Sequence, residues 1–120
     1  MENECKARDL RERTLDFARR IVRLFAALPK GTLAQTLGTQ VLRSGTSVGA
    51  NYREADSGRS KPEFIAKMGD CLRELSETDY WLELMAAEEI VSTDRLAPLM
   101  QETRELIAIF TTIIKKARNQ

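Results

Sequence analysis

Apolar residues recur along this chain at intervals of three and four, in four blocks separated by short polar or proline-bearing breaks. That period puts them on one face of an α-helix, not on alternate faces of a strand. In the first block Leu10, Thr14, Phe17, Ile21, Leu24, Phe25 and Leu28 form the stripe, and the pattern predicts a helix over residues 7–28. Pro29-Lys30-Gly31 closes it, because proline disfavours a helical conformation at the residue before it. A second helix is predicted over 33–56, with Thr32 as its N-cap and Leu37, Val41, Val48, Tyr52 and Ala55 on its apolar side. Ser60-Lys61-Pro62-Glu63 reads as a capping box that opens a third helix over 61–90, with a stripe of Phe64, Met68, Cys71, Leu72, Leu75, Leu82 and Met85. Ser92-Thr93-Asp94 supplies the cap of a fourth over 94–118, carrying Leu96, Leu99, Thr103, Leu106, Phe110, Ile113 and Ala117. Long helices on short connections predict an all-α fold, an up-down-up-down antiparallel four-helix bundle filling residues 1–120 as one domain.

The second helix is the weak one. Gly38, Gly45 and Gly49 each cost about 1 kcal/mol relative to alanine in a helix interior, so packing must offset them. They share one face, where a neighbouring backbone can approach closely. On the fourth helix Met100, Ile107, Ile109 and Ile114 add apolar surface beyond one seam. Together the glycine face and this aliphatic excess predict a further interface and hence a homo-oligomer.

Composition narrows the chemistry. The chain has 42% hydrophobic and 31% charged residues, as a soluble globular protein does, and its most apolar run is too short to span a bilayer. An acidic, polar start does not read as a secretory signal, and Cys5 and Cys71 have no paired spacing; the expected address is the cytoplasm. With no histidine, a Ser or Cys triad lacks its usual base and a di-iron Glu-x-x-His set cannot form. Glu54, Asp70, Glu74 and Glu77 remain as an all-carboxylate metal alternative, against pairing of Glu74 and Glu77 with Arg43 or Arg53. Gly45-Thr-Ser-Val-Gly49 lacks the Lys-Ser/Thr of a phosphate loop. The expectation is no enzyme and no cofactor.

A net charge of +1 hides an uneven distribution: residues 6–30 carry +5 and residues 60–91 carry −5. Two readings fit. The segments are neighbouring helices whose flanks attract, or the basic one is reserved for a polyanion. The second makes Arg11, Arg19, Arg20 and Arg23 candidate nucleic-acid contacts, with Arg8 and Arg13 beside them. Only seven aromatics occur, most on core stripes, so contact would be with phosphates or shape and not with stacked bases. The other candidate site is a polar row on the glycine-bearing helix: Arg43, Ser47, Asn51 and Glu54, followed by Arg59. A structural tie to the third helix and ligand binding are its two readings.

Residues 40–55, Gln-Val-Leu-Arg-Ser-Gly-Thr-Ser-Val-Gly-Ala-Asn-Tyr-Arg-Glu-Ala, also resemble the central signature of a four-helix-bundle family named for reading frames in 23S ribosomal RNA intervening sequences. Arg59-Ser60, Glu63-Phe64-Ile65 and Arg73-Glu-Leu-Ser-Glu-Thr-Asp-Tyr-Trp-Leu82 resemble its second block. The resemblance implies a ring-like homo-oligomer, a pentamer, and kinship with accessory proteins of diversity-generating retroelements, which bind nucleic acid and a reverse transcriptase. The partners so implied are a second copy of the chain, RNA or DNA, and a nucleic-acid-processing protein, with no membrane. Arg43, Ser47, Asn51, Glu54, Glu74, Glu77 and Trp81 resemble motif positions, and the family carries no catalytic assignment. The resulting expectation is a non-enzymatic oligomeric adaptor for structured nucleic acid or a nucleoprotein; the alternative is a purely structural protein-interaction module.

Overall fold

The computed structural model describes the chain from residue 2 to residue 120, and side chains from Leu10 onward. Cys5, Lys6 and Arg8 lie outside the described side chains. Four helices, α1 (Glu2–Ala26), α2 (Thr32–Ala55), α3 (Lys61–Ala87) and α4 (Thr93–Arg118), account for the secondary structure, with no strand among the described residues. The molecule measures 47 × 22 × 20 Å.

Helix ends follow local chemistry. The Ser60 Oγ accepts from the Glu63 N–H, and the Glu63 carboxylate accepts from the Ser60 hydroxyl at 2.7 Å. Ser92 caps α4 through the Arg95 N–H. Thr32 is not a cap: Gly31 holds that position without a side-chain bond, and Thr32 is the first helical residue. α3 stops at Ala87, short of Ile90. Glu89 takes a left-handed φ of 56°, its N–H bonds the Ala86 carbonyl, and the Ile90 N–H bonds that of Met85. This is a Schellman closure, made without glycine because half-buried Ile90 packs on the core and holds it.

One apolar cluster runs through all four helices, with Phe17, Ile21, Val48, Met68, Leu75, Leu82, Leu106 and Phe110 fully enclosed. Each helix packs on the next in the chain, and α2 with α3 most extensively. α1 and α4 approach each other far less, and among the described residues α1 and α3 do not meet. The expected attraction between the basic first helix and the acidic third is therefore corrected: they stand on opposite sides of the core.

The glycine face of α2 is also occupied. A Cβ on Gly45 would sit 2.7 Å from Ile21 Cγ1 and 2.9 Å from its Cδ1, and one on Gly49 would meet Thr14 Oγ1 at 3.3 Å. Gly38 receives Leu28 and Phe25. The face expected to be left for another subunit is filled by α1, and this packing offsets the weak helix propensity of α2.

Gly45→Leu is accordingly expected to lose at least about 3 kcal/mol in urea unfolding, since branched, fully buried Ile21 cannot move aside. Gly69, in α3 with nothing within 4 Å of an added Cβ, is expected to gain about 0.5–1 kcal/mol as Gly69→Ala.

Candidate functional site

The seam between α2 and α3 gathers most of the polar row. Arg43 donates to the Glu77 carboxylate, to Glu74 at 3.4 Å and to the Gln40 side-chain amide oxygen Oε1 at 3.4 Å. Ser47 does not reach across the seam; its hydroxyl donates to the Arg43 carbonyl at 2.7 Å. Half-buried Asn51 makes no side-chain hydrogen bond among the described residues. Further along, Glu54 accepts from Lys67 at 2.9 Å, and this bond holds its carboxyl below the usual carboxylate range. Arg59 donates to the Glu54 carbonyl at 2.8 Å and reaches Glu63 at 3.4 Å, which closes the turn between the helices. Arg53 takes no part in the seam.

The four carboxylates offered as a metal set do not converge. Glu54 goes to Lys67, Asp70 to Arg73, and Glu74 with Glu77 to Arg43. No group of three metal-ligating side chains occurs among the described residues. Beneath the row, buried Ser44 and Thr78 share a 2.7 Å hydroxyl bond, and the Thr78 hydroxyl donates to the Glu74 carbonyl at 2.8 Å. Trp81 stands half-buried beside Tyr80, ring centroids 5.1 Å apart, with its indole N–H buried and without a hydrogen-bond partner among the described residues. Burial pushes the Cys71 thiol up to about 12, so it is a core residue and not a nucleophile.

The basic residues of α1 fall into two groups. Arg13 clamps α4: its Nε and Nη2 donate to the two Glu102 oxygens at 2.8 and 2.7 Å, and Nη2 reaches Glu105 at 3.1 Å. This bidentate bridge spans the least closely packed helix pair and raises the Arg13 pKa. Arg11 faces Asp56 at 3.9 Å. Arg19 and Arg23 are exposed and Arg20 half-buried, and none of the three has an ion pair among the described residues.

Sequence reasoning missed the Arg13 clamp and the hydroxyl pair. Arg13 is one arginine among six on α1, and nothing local marks it. Ser44 and Thr78 are 34 positions apart, and only the packed seam brings them together. The one available signal was that Thr14 and Thr103 fall on the apolar stripes, where their hydroxyls turn back to the Leu10 and Leu99 carbonyls.

The family profile described as 23S rRNA-intervening sequence protein matches residues 7–112. A solved structure of a protein with unknown function from the S23 ribosomal protein family of Bacteroides thetaiotaomicron is similar to this chain. The two are 36% identical, with a TM-score of 0.85, over 92% of this chain and 98% of that one. No functionally curated protein matches.

Glu54 adds stability that is present above the ordinary carboxylate pKa and lost as pH falls through its lowered folded value. In Lys67→Gln the Glu54 carboxyl, followed by carbon-detected NMR, is expected to titrate back toward the ordinary value, and the acid limb of the stability curve becomes shallower.

Proposed function

The chain belongs to the 23S rRNA-intervening sequence protein family, and from that premise we propose that it is a non-enzymatic oligomeric adaptor. It engages structured nucleic acid, or a nucleoprotein, through the outward side of α1. One observation carries the reading: α3, which holds the compensating negative charge, does not pack against α1. Most of the α3 carboxylates are spent on α2, on α4 or within α3 itself, through Arg43, Arg104 and Arg73. Among the described residues Arg19, Arg20 and Arg23 are left without an ion pair, with Arg11 partly held by Asp56.

In this reading the helices form an up-down-up-down antiparallel bundle. It is supported by hydrogen-bonded pairs whose numbers run in opposite senses: Cys71 to the Val48 carbonyl and Ser44 with Thr78, and then Arg104 with Asp79 and Lys61 to the Gln120 carbonyl. The motif residues Arg43, Ser47, Glu54, Arg59, Glu74 and Glu77 fix the α2–α3 seam and its turn and perform no chemistry. The bundle assembles into a ring-like homo-oligomer, a pentamer, in the cytoplasm. Among the described residues no helix is long and apolar enough to cross a membrane.

A second reading, a protein-interaction module without nucleic acid, is favoured by Leu15 and Val22. Each is 49% exposed, and at i, i+7 they flank Arg19 on one side of α1.

Titration against a structured RNA and a duplex DNA across a salt series separates the two. Reversing Arg19, Arg20 and Arg23 to Glu is expected to abolish binding with the fold intact by circular dichroism. Unchanged affinity in that variant contradicts the assignment of α1, and no binding by the unaltered protein at low salt favours the interaction module.

A further inference from the structure

One end of the bundle collects cations from elements far apart in sequence. Arg53 lies in the last turn of α2, Arg59 and Lys61 at the start of α3, and Lys115, Lys116 and Arg118 in the last turn of α4. Lys61 donates to the Gln120 carbonyl, and Arg11 faces Asp56 at 3.9 Å, which brings α1 and α4 to the same level as the α2–α3 turn. With Lys67 and Arg11, and among the described residues, eight basic side chains share this end with four acidic ones, Glu12, Glu54, Asp56 and Glu63. Three of those acids are already engaged, by Lys67, by Arg11, and by Ser60 with Arg59. Arg53, Lys115, Lys116 and Arg118 are exposed and unpaired among the described residues.

The opposite end differs in sign, with Glu83, Glu88, Glu89 and Asp94 against Arg23, Lys30 and Arg95. Along its 47 Å length the molecule is therefore electrically polarised. Complementing the α4 dipole does not account for the basic end. A helix terminus presents roughly half an elementary charge, well short of three cations, and Arg53 belongs to another helix.

We propose that this basic end is a phosphate-docking surface for duplex nucleic acid, contacted by Arg53, Lys115, Lys116 and Arg118. The inference rests on the nucleic-acid reading above but uses a surface separate from Arg19, Arg20 and Arg23. A shallow, open depression lined by Asp56, Gly58, Arg59 and Lys61 lets a phosphate ridge approach. The molecule is 22 × 20 Å across its long axis, and a duplex carries one charge per ~1.7 Å of axis, so several phosphates lie within reach at once. A membrane surface fits less well, because the large exposed apolar residues, Leu15, Val22, Leu33 and Tyr80, lie on helix flanks and leave this end without an apolar face to bury. Unpaired strands fit less well too, since the one aromatic at the depression, Phe64, is half-buried in the core.

The test compares two double variants of equal charge change in the full chain: Lys115→Gln with Lys116→Gln at the basic end, and Lys30→Gln with Arg95→Gln at the other. Binding to a blunt RNA duplex, a DNA duplex and anionic phospholipid vesicles is titrated across salt, with folding checked by thermal melts. The basic-end pair is expected to weaken duplex binding tenfold or more near 0.1 M salt and to lower the log–log salt slope by about 2, and the opposite pair to leave both unchanged. Arg53→Gln, on a different helix, is expected to lower the slope by about 1 and covers the case in which α4 frays. Equal effects of the two doubles, on a protein that binds duplex, overturn this surface alone. Absence of duplex binding by the unaltered protein, or binding to vesicles only, overturns it together with the nucleic-acid reading.

Discussion

The close seating of α1 on the glycine face of α2 is the contact on which the rest of the arrangement depends. Ile21 occupies the space a side chain would take at position 45, Thr14 that at 49, and Leu28 with Phe25 that at 38. A helix carrying three interior glycines gives up about 3 kcal/mol of propensity relative to alanine, more than any single surface ion pair returns. Apolar burial against α1 is the term large enough to hold α2 helical. With one side of α2 committed to α1, its other side takes α3, and α1 and α3 fall on opposite sides of the core.

That placement decides the electrostatics. The α3 carboxylates turn to Arg43, Arg73 and Arg104, so the helix with the most negative charge is largely neutralised without help from α1. Among the described cations of α1, Arg13 alone is fully engaged, as a fork on Glu102 that bridges the widest seam. The near-zero net charge of the chain thus conceals a surface on which positive groups remain free and many negative ones do not. Salt bridges here act less as a source of stability than as a sorting of which charges stay available.

Much of the helix count and core was legible in the sequence, because periodicity is a local property. Leu10, Phe17, Ile21, Met68, Leu75 and Phe110 lay on three-four stripes and are buried. The Ser60 capping box was legible for the same reason. What escaped depends on which helix faces which. The glycines announced a close approach but not the partner, and the +5 and −5 segments announced attraction but not its direction. The end of α3 escaped because Glu89 adopts a left-handed φ that glycine usually signals, and tertiary packing of Ile90 supplies the reason instead. In the candidate site, spacing aligned Arg43, Ser47, Asn51 and Glu54 on one row and left Arg43 or Arg53 as partner for Glu74 and Glu77; the packed seam selects Arg43, and Ser47 and Asn51 share the row without sharing its bonds.

A double-mutant cycle on Ile21 and Gly45, read by urea unfolding, tests the seating of α1 on α2 most directly. If Ile21 fills the space above Gly45, the cost of Gly45→Ala shrinks when Ile21→Val removes a methyl group, and the two changes couple by about 1 kcal/mol in the compensating direction. Additivity within about 0.5 kcal/mol would contradict the contact, and with it the placement of α1 opposite α3.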